Sequence, residues 1–125
     1  MPLYTVTTQT GVLDEQAKAA LAGGLTQLHV EFSGVPRNWV HIVFHEYERG
    51  NAFTAGERAA VAALTLCIRV GRSDDYKRAL LQRLWALLQE ATAAPDDQIV
   101  IGIQEVPASQ AMEMAAIMPD VPLPE

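Results

Sequence analysis

Leu64-Thr65-Leu66-Cys67-Ile68-Arg69-Val70-Gly71-Arg72-Ser73-Asp74-Asp75 passes from a strand through a sharp turn into a helix, and this order decides the fold. Leu64–Val70 is a short run of apolar and β-branched residues with strand composition. Gly71 lets the backbone turn tightly. Ser73 can cap a helix, and Asp74 and Asp75 then fall in its first turn, where carboxylates complement the helix dipole. Tyr76, Leu80, Leu84, Leu87, Leu88 and Ala91 recur at helical spacing, Pro95-Asp96-Asp97 makes a turn, and Gln98–Val106 reads as a closing strand.

The same scheme stands about sixty residues earlier. Leu3–Thr8 alternates as a strand, and Asp14 begins a helix with apolar positions Ala17, Ala20, Leu21, Gly24, Leu25, Leu28 and Phe32. Ser33-Gly34-Val35-Pro36 stops that helix, and Trp39–Glu46 reads as the second strand. Gly11 falls on Gly71, Asp14 on Asp74, Leu21 on Leu81 and Leu28 on Leu88. After one gap, Pro36 falls on Pro95 and Glu46 on Glu105. The reading is a single α/β (α+β) domain over 1–125. Repeat one covers about 2–47, a turn-rich connector about 48–62, repeat two about 63–106 and a tail 107–125. Each repeat is a β-α-β unit with a right-handed crossover. Together they predict a four-stranded mixed sheet with two helices on one face. Its other face would carry Val6 and the alternating apolar residues of all four strands, which with the Met-rich tail need covering by self-association.

The 125 residues are half hydrophobic, enough for a real core. The net charge of −6 argues against non-specific binding of nucleic acid, though not against a local basic pocket for a small anion. No apolar run is long enough for a bilayer and no signal peptide is visible, so neither a membrane nor export is expected. The single cysteine, Cys67, fits a reducing cytoplasm, and its apolar neighbours make it a buried structural thiol. His41 and His45 share one strand face but stand roughly 13 Å apart, too far for one metal ion. They read as structural or interfacial. No zinc spacing, nucleotide-binding glycine loop or serine triad signature is present.

Two features carry chemistry. Met1 precedes Pro2, and an initiator Met before a small residue is usually removed. Pro2 would then present a free secondary amine at the start of a strand, with its ring fixing the lone pair. An α-amino group titrates at roughly 7.7–8.0, close enough to neutrality for proton transfer. Arg69 closes a strand and Arg72 stands at the mouth of the next helix, a pair suited to holding a carboxylate. The alternative from spacing alone is a solvated ion pair of Arg72 with Asp74 or Asp75.

The Met-Pro start, the doubled β-α-β unit and the Arg69-Val70-Gly71-Arg72-Ser73 turn together resemble the tautomerase superfamily. The likeness to its cis-3-chloroacrylic acid dehalogenase branch covers nearly the whole chain. It runs through His29 with Ser33-Gly34, Phe44-x-Glu46, Gly50-Asn51-x-Phe53, the arginine turn, and Glu105-Val106-Pro107-Ala108 followed by Gln110-x-x-Glu113. The resemblance implies an unblocked N-terminal proline, no cofactor, and a homotrimer of fused repeats. It implies that Arg69, Arg72 and His29 bind a substrate carboxylate and that Glu113 activates water. The alternatives are that His29 is a helix-surface imidazole without a role and that Glu113 is an exposed charge on a short helix. Gly102 stands where the dehalogenases carry a tyrosine, which makes efficient dehalogenation doubtful. The chain also ends earlier than those enzymes, at Val121-Pro122-Leu123-Pro124-Glu125, so the lid over the pocket is expected to differ.

The reading is therefore a small cytoplasmic isomerase, a keto-enol tautomerase acting on 2-oxo or enol carboxylic acids. Pro2 moves the proton, Arg69, Arg72 and His29 hold the carboxylate, and Glu113 serves a hydratase, lyase or hydrolytic dehalogenase side activity. The arginines should lower the pKa of Pro2 and Glu113 should oppose them. The alternative is a non-catalytic trimeric binding or structural homologue. A retained Met1 would favour it, because the Pro2 nitrogen would then be a tertiary amide.

Overall fold

In the computed structural model, which describes residues 1–122, two β-α-β units meet edge to edge. Leu123, Pro124 and Glu125 lie outside the described residues, so the expectation of a different lid is followed only to Pro122. The elements are β1 (Leu3–Gln9), α1 (Glu15–Ser33), β2 (His41–Tyr47), β3 (Phe53–Thr54), β4 (Glu57–Arg58), β5 (Ala62–Arg69), α2 (Asp74–Thr92), β6 (Ile99–Val106), β7 (Met112–Glu113) and β8 (Ala116–Ile117). The main sheet has the order β2-β1-β5-β6. β1 is parallel to β2 and β5 to β6, while β1 and β5 join the repeats antiparallel.

Both helices cover one face. Tyr4 and Val6 of β1 and Leu64 and Leu66 of β5 pack under Leu21, Leu25 and Leu28 of α1 and Leu80, Leu84 and Leu88 of α2. The helices start on side-chain caps: Asp14 accepts from the Ala17 amide at 2.8 Å and Ser73 from the Tyr76 amide at 3.1 Å. A Cβ on Gly24 would come 3.5 Å from Leu87, so the glycine sits where the helices touch.

The duplication extends to individual contacts. Lys18 of α1 reaches Glu46 at 2.5 Å, and Lys77 of α2 reaches Glu105 at 3.0 Å. These pairs, like the caps Asp14 and Ser73, correspond at an offset of fifty-nine. The match of Asp14 to Asp74, Leu21 to Leu81 and Leu28 to Leu88 is therefore one residue out. A one-residue slip turns a helical position by about 100° and would take leucines off the core. The buried stripes align as Leu21 with Leu80, Leu25 with Leu84 and His29 with Leu88.

Other expectations need correction. Val6 is fully buried beneath the helices and not on the open face. The strands alternate so that their larger apolar residues go to the core. The open face carries Thr5, Thr7, Thr65, His41 and His45, with Leu3, Val43 and Val100 as exposed apolar positions. Cys67 is on that open face and only half-buried. Trp39 belongs to a 3₁₀ turn, Arg37–Trp39, because Pro36 starts a turn before the strand. The connector contains the β3–β4 hairpin, and the tail contains its counterpart β7–β8. Glu113 is thus a hairpin residue, with the short helical turn ending at Gln110.

Candidate functional site

The antiparallel junction of the repeats builds the site. Leu3 pairs with Cys67, so the start of the chain lies beside the end of β5 and the mouth of α2. Arg69 and Arg72 come from that β5–α2 turn, and His29 from the last third of α1. Met1, His29, Ser33, Val35, Ile68, Arg69, Arg72, Tyr76 and Val121 line an inner cavity of about 20 Å³. That is room for about one water. A wider cavity of about 290 Å³ shares Ser33, Val35, Arg69 and Arg72 with it and extends to Trp39, Pro119 and Asp120.

Arg69 is 6% exposed, and its Nη1 donates to the Pro119 carbonyl at 2.6 Å. Its guanidinium stands 5.9 Å from the centre of the Trp39 ring. Burial lowers its pKa first and Arg72 second, with Glu113 and Asp120 opposing. The side chain stays charged at any biological pH. Arg72 lies over the Tyr76 ring at 4.9 Å. The ion pair expected from spacing is absent: Asp74 pairs with Lys77 and Asp75 with Arg78. Among the described residues no carboxylate lies within ion-pair distance of Arg72.

His29 is not a surface imidazole. It is 3% exposed, and its Nδ1 is 2.7 Å from the Tyr4 hydroxyl. Burial, then Arg72, then the amino terminus push its pKa down to about 4, so the ring is neutral at physiological pH. Burial likewise raises the Tyr4 phenol, which stays protonated.

Glu113 is half-buried against the Met1 ammonium, with which it forms an ion pair. No other group satisfies its buried Oε2 among the described residues. Pro2 is buried at the start of β1, and its carbonyl accepts from the His41 amide at 3.2 Å. Met1 separates its nitrogen from the free amine that chemistry would require. The structure thus brings the amino terminus, His29, Arg69 and Arg72 to one cavity with Glu113 adjoining. Gly102 stands apart on the open face, with no atom within 4 Å of the place a Cβ would take, so a larger residue there does not crowd the chain's own core. Burial raises the Cys67 thiol, which disfavours thiolate. Among the described residues no group of three or more His, Cys, Asp or Glu could hold a metal ion.

Three residues at the site were not singled out by sequence: Tyr4 behind His29, Trp39 beside Arg69 and Tyr76 under Arg72. Tyr4 had a signal. At the matching core positions repeat two has Leu64 and Leu88, so a hydrogen-bonded polar pair replaces an apolar one.

A family model named Tautomerase_3, described as "Putative oxalocrotonate tautomerase enzyme", matches residues 1–123. No curated protein matches the sequence. The crystal structure of native Ps01740 is 36% identical with a TM-score of 0.85, covering 89% of this chain and 99% of its own. N1, described as a member of the cis-3-chloroacrylic acid dehalogenase family, is 26% identical with a TM-score of 0.89, covering 95% and 85%. A fused 4-OT described as a wild-type symmetric trimer shares the fold, at 23% identity and a TM-score of 0.84 over 93% and 94%. No helix among the described residues is long and apolar enough to cross a membrane. With a doubled β-α-β sheet, an arginine turn beside the amino terminus and a family match over almost its full length, the chain belongs to the tautomerase superfamily, in its cis-3-chloroacrylic acid dehalogenase-like branch.

Proposed function

We propose that this protein is a cofactor-independent keto-enol tautomerase of small 2-oxo or enol carboxylic acids, with Pro2 as its proton carrier once Met1 is removed. One observation carries this reading: the amino terminus, two arginines and a neutral buried histidine line the same cavity. Arg69 is held by Pro119 and Trp39, and Arg72 has no carboxylate within ion-pair distance among the described residues. A substrate carboxylate would take that place, fixing its α-carbon near the amine.

In the proposed cycle the neutral Pro2 amine accepts the proton of an enol hydroxyl and returns a proton to carbon. The positive arginines favour the uncharged amine, and Glu113 pulls the other way. Removing Met1 would also free Glu113 from its ion pair and enlarge the cavity that Met1 lines. Glu113 could then activate water for a slower hydration. Hydrolytic dehalogenation is expected to be weak with Gly102 at its position. A homotrimer is proposed because the fused 4-OT neighbours are described as trimers and the threonine-rich face of the sheet is open. A cytoplasmic setting belongs to the same proposal.

The rival is a non-catalytic trimeric homologue, which a retained Met1 would favour because the Pro2 nitrogen would then be a tertiary amide. Intact mass combined with a rate assay decides between them. Processed protein should ketonise phenylenolpyruvate faster than it hydrates propiolate or dehalogenates cis-3-haloacrylate. Quantitative retention of Met1 would contradict the enzymatic reading.

A further inference from the structure

The structure assigns Tyr4 as a positioning residue that fixes the ring orientation and tautomer of His29 so that Nε2–H faces the carboxylate site. This rests on the reading of that site given above. Tyr4 is fully buried, and its only hydrogen-bond partner among the described residues is Nδ1 of His29 at 2.7 Å. If Nδ1 carried the proton, the phenol hydrogen would be left in the core without an acceptor, a loss comparable to an orphaned buried donor. The phenol therefore donates to Nδ1, and the neutral ring carries its proton on Nε2. Nε2 has no partner among the described residues. The one fully buried side-chain atom lacking a hydrogen bond there is Glu113 Oε2, so Nε2 is open to the cavity that His29 lines. The rings meet edge to face, 5.5 Å apart and 86° from coplanar, which restricts rotation of the imidazole.

The second repeat supplies an internal control. There the equivalent positions hold Leu64 and Leu88, both essentially fully buried. The scaffold accepts an apolar pair at this crossing of strand and helix, and a polar pair is not required to fold it. Repeat one alone keeps the phenol and imidazole, and repeat one alone places them behind two arginines. The cavity beside the Leu64–Leu88 pair of repeat two is lined by Thr8, Gln9 and Val12 of repeat one, at the positions where the cavity beside Tyr4 and His29 has Ile68, Arg69 and Arg72 of repeat two. The tyrosine–histidine pair and the arginines therefore occur together and are absent together. A donor that is neutral can approach an anion between two cations without adding to their repulsion.

The test combines ¹⁵N NMR of the imidazole with kinetics on phenylenolpyruvate, in wild type and Tyr4→Phe. Wild type should show a single Nε2–H tautomer with a hydrogen-bonded Nδ1. In Tyr4→Phe that Nδ1 signature should vanish, and KM should rise about fivefold to tenfold, the worth of one hydrogen bond, with kcat changed less. Wild-type protein protonated on Nδ1, which needs no variant to detect, would overturn the assignment. So would a folded Tyr4→Phe protein with unchanged imidazole signals and KM. If turnover responds to Arg72→Ala while the wild-type tautomer is mixed, Tyr4 alone loses its role. If wild type neither binds nor turns over a carboxylate, the site reading falls and the role of Tyr4 toward an anion falls with it.

Discussion

Replacing His29 should flatten the acid limb of the protein's stability. In the native state its imidazole titrates at about 4, against about 6.5 in an unfolded chain. As pH falls below the unfolded value, the unfolded state takes up a proton that the native state refuses. Native stability is then lost progressively, and the loss levels off below the native pKa. Between about pH 7.5 and 4.5 linkage gives a loss of about 2.5 kcal/mol from this group. Repeat two shows what the scaffold accepts instead, since Leu88 occupies the matching position.

The variant of choice is Tyr4→Phe/His29→Leu, which removes both ends of the hydrogen bond and leaves no buried hydroxyl without a partner. Urea unfolding at both pH values, read by Trp39 and Trp85 fluorescence at one protomer concentration, gives the difference. The carboxylates contribute to acid unfolding in both proteins and cancel in the comparison. Wild type should lose about 2.5 kcal/mol more than the variant over this range. Parallel losses would refute the claim that His29 is buried neutral.

Arg72→Ala should raise KM for a carboxylate substrate with little change in stability, while Arg69→Ala should raise KM and also loosen the tail, because it orphans the Pro119 carbonyl; steady-state kinetics and urea unfolding separate the two. Ala115→Gly should stabilise the β7–β8 hairpin by about 0.5–1 kcal/mol in urea unfolding, since Ala115 has a φ of 60°, a region costly for a residue with a Cβ. Gly102→Tyr should fold normally, given the free space at its Cβ, and should raise turnover of cis-3-haloacrylate over wild type; rapid dehalogenation by wild type would contradict the weight placed on the missing phenol. Light scattering at micromolar concentration should give about three times 13.6 kDa, and a stable monomer would remove the proposed trimer.

The repeat was legible because its signals are local. The caps Asp14 and Ser73, the stops at Pro36 and Pro95 and the helical leucines fix both β-α-β units. The exact helical register was not legible, because neighbouring leucines and alanines allow a one-residue slip that only burial resolves. The hairpins were missed for a similar reason. β7 and β8 have two residues each, too short for periodicity, and the tight turn uses Met114 and Ala115 at positive φ where glycine would have announced it. The arginine turn could be read as an anion site, yet its rival ion pair could not be dismissed until Lys77 and Arg78 were seen to take Asp74 and Asp75. The depth of His29 was not legible, because the sixty-residue match set Leu28 on Leu88, and only the offset of fifty-nine seen in the helices puts His29 at a core-leucine position. Which face of the sheet stays open depended on the strand phase of Val6 relative to the helices, and composition does not give that phase.

The central claim is that the amine of Pro2 carries the proton. Its most direct test is kcat/KM for ketonisation of phenylenolpyruvate by wild type and Pro2→Ala, each confirmed by intact mass to lack Met1. Alanine leaves a free amine that is primary, less basic and less rigidly held. The ratio should fall about 10²–10⁴-fold, the usual contribution of a positioned acid–base group, with the fold intact. Equal values in the two processed proteins would take Pro2 out of the mechanism.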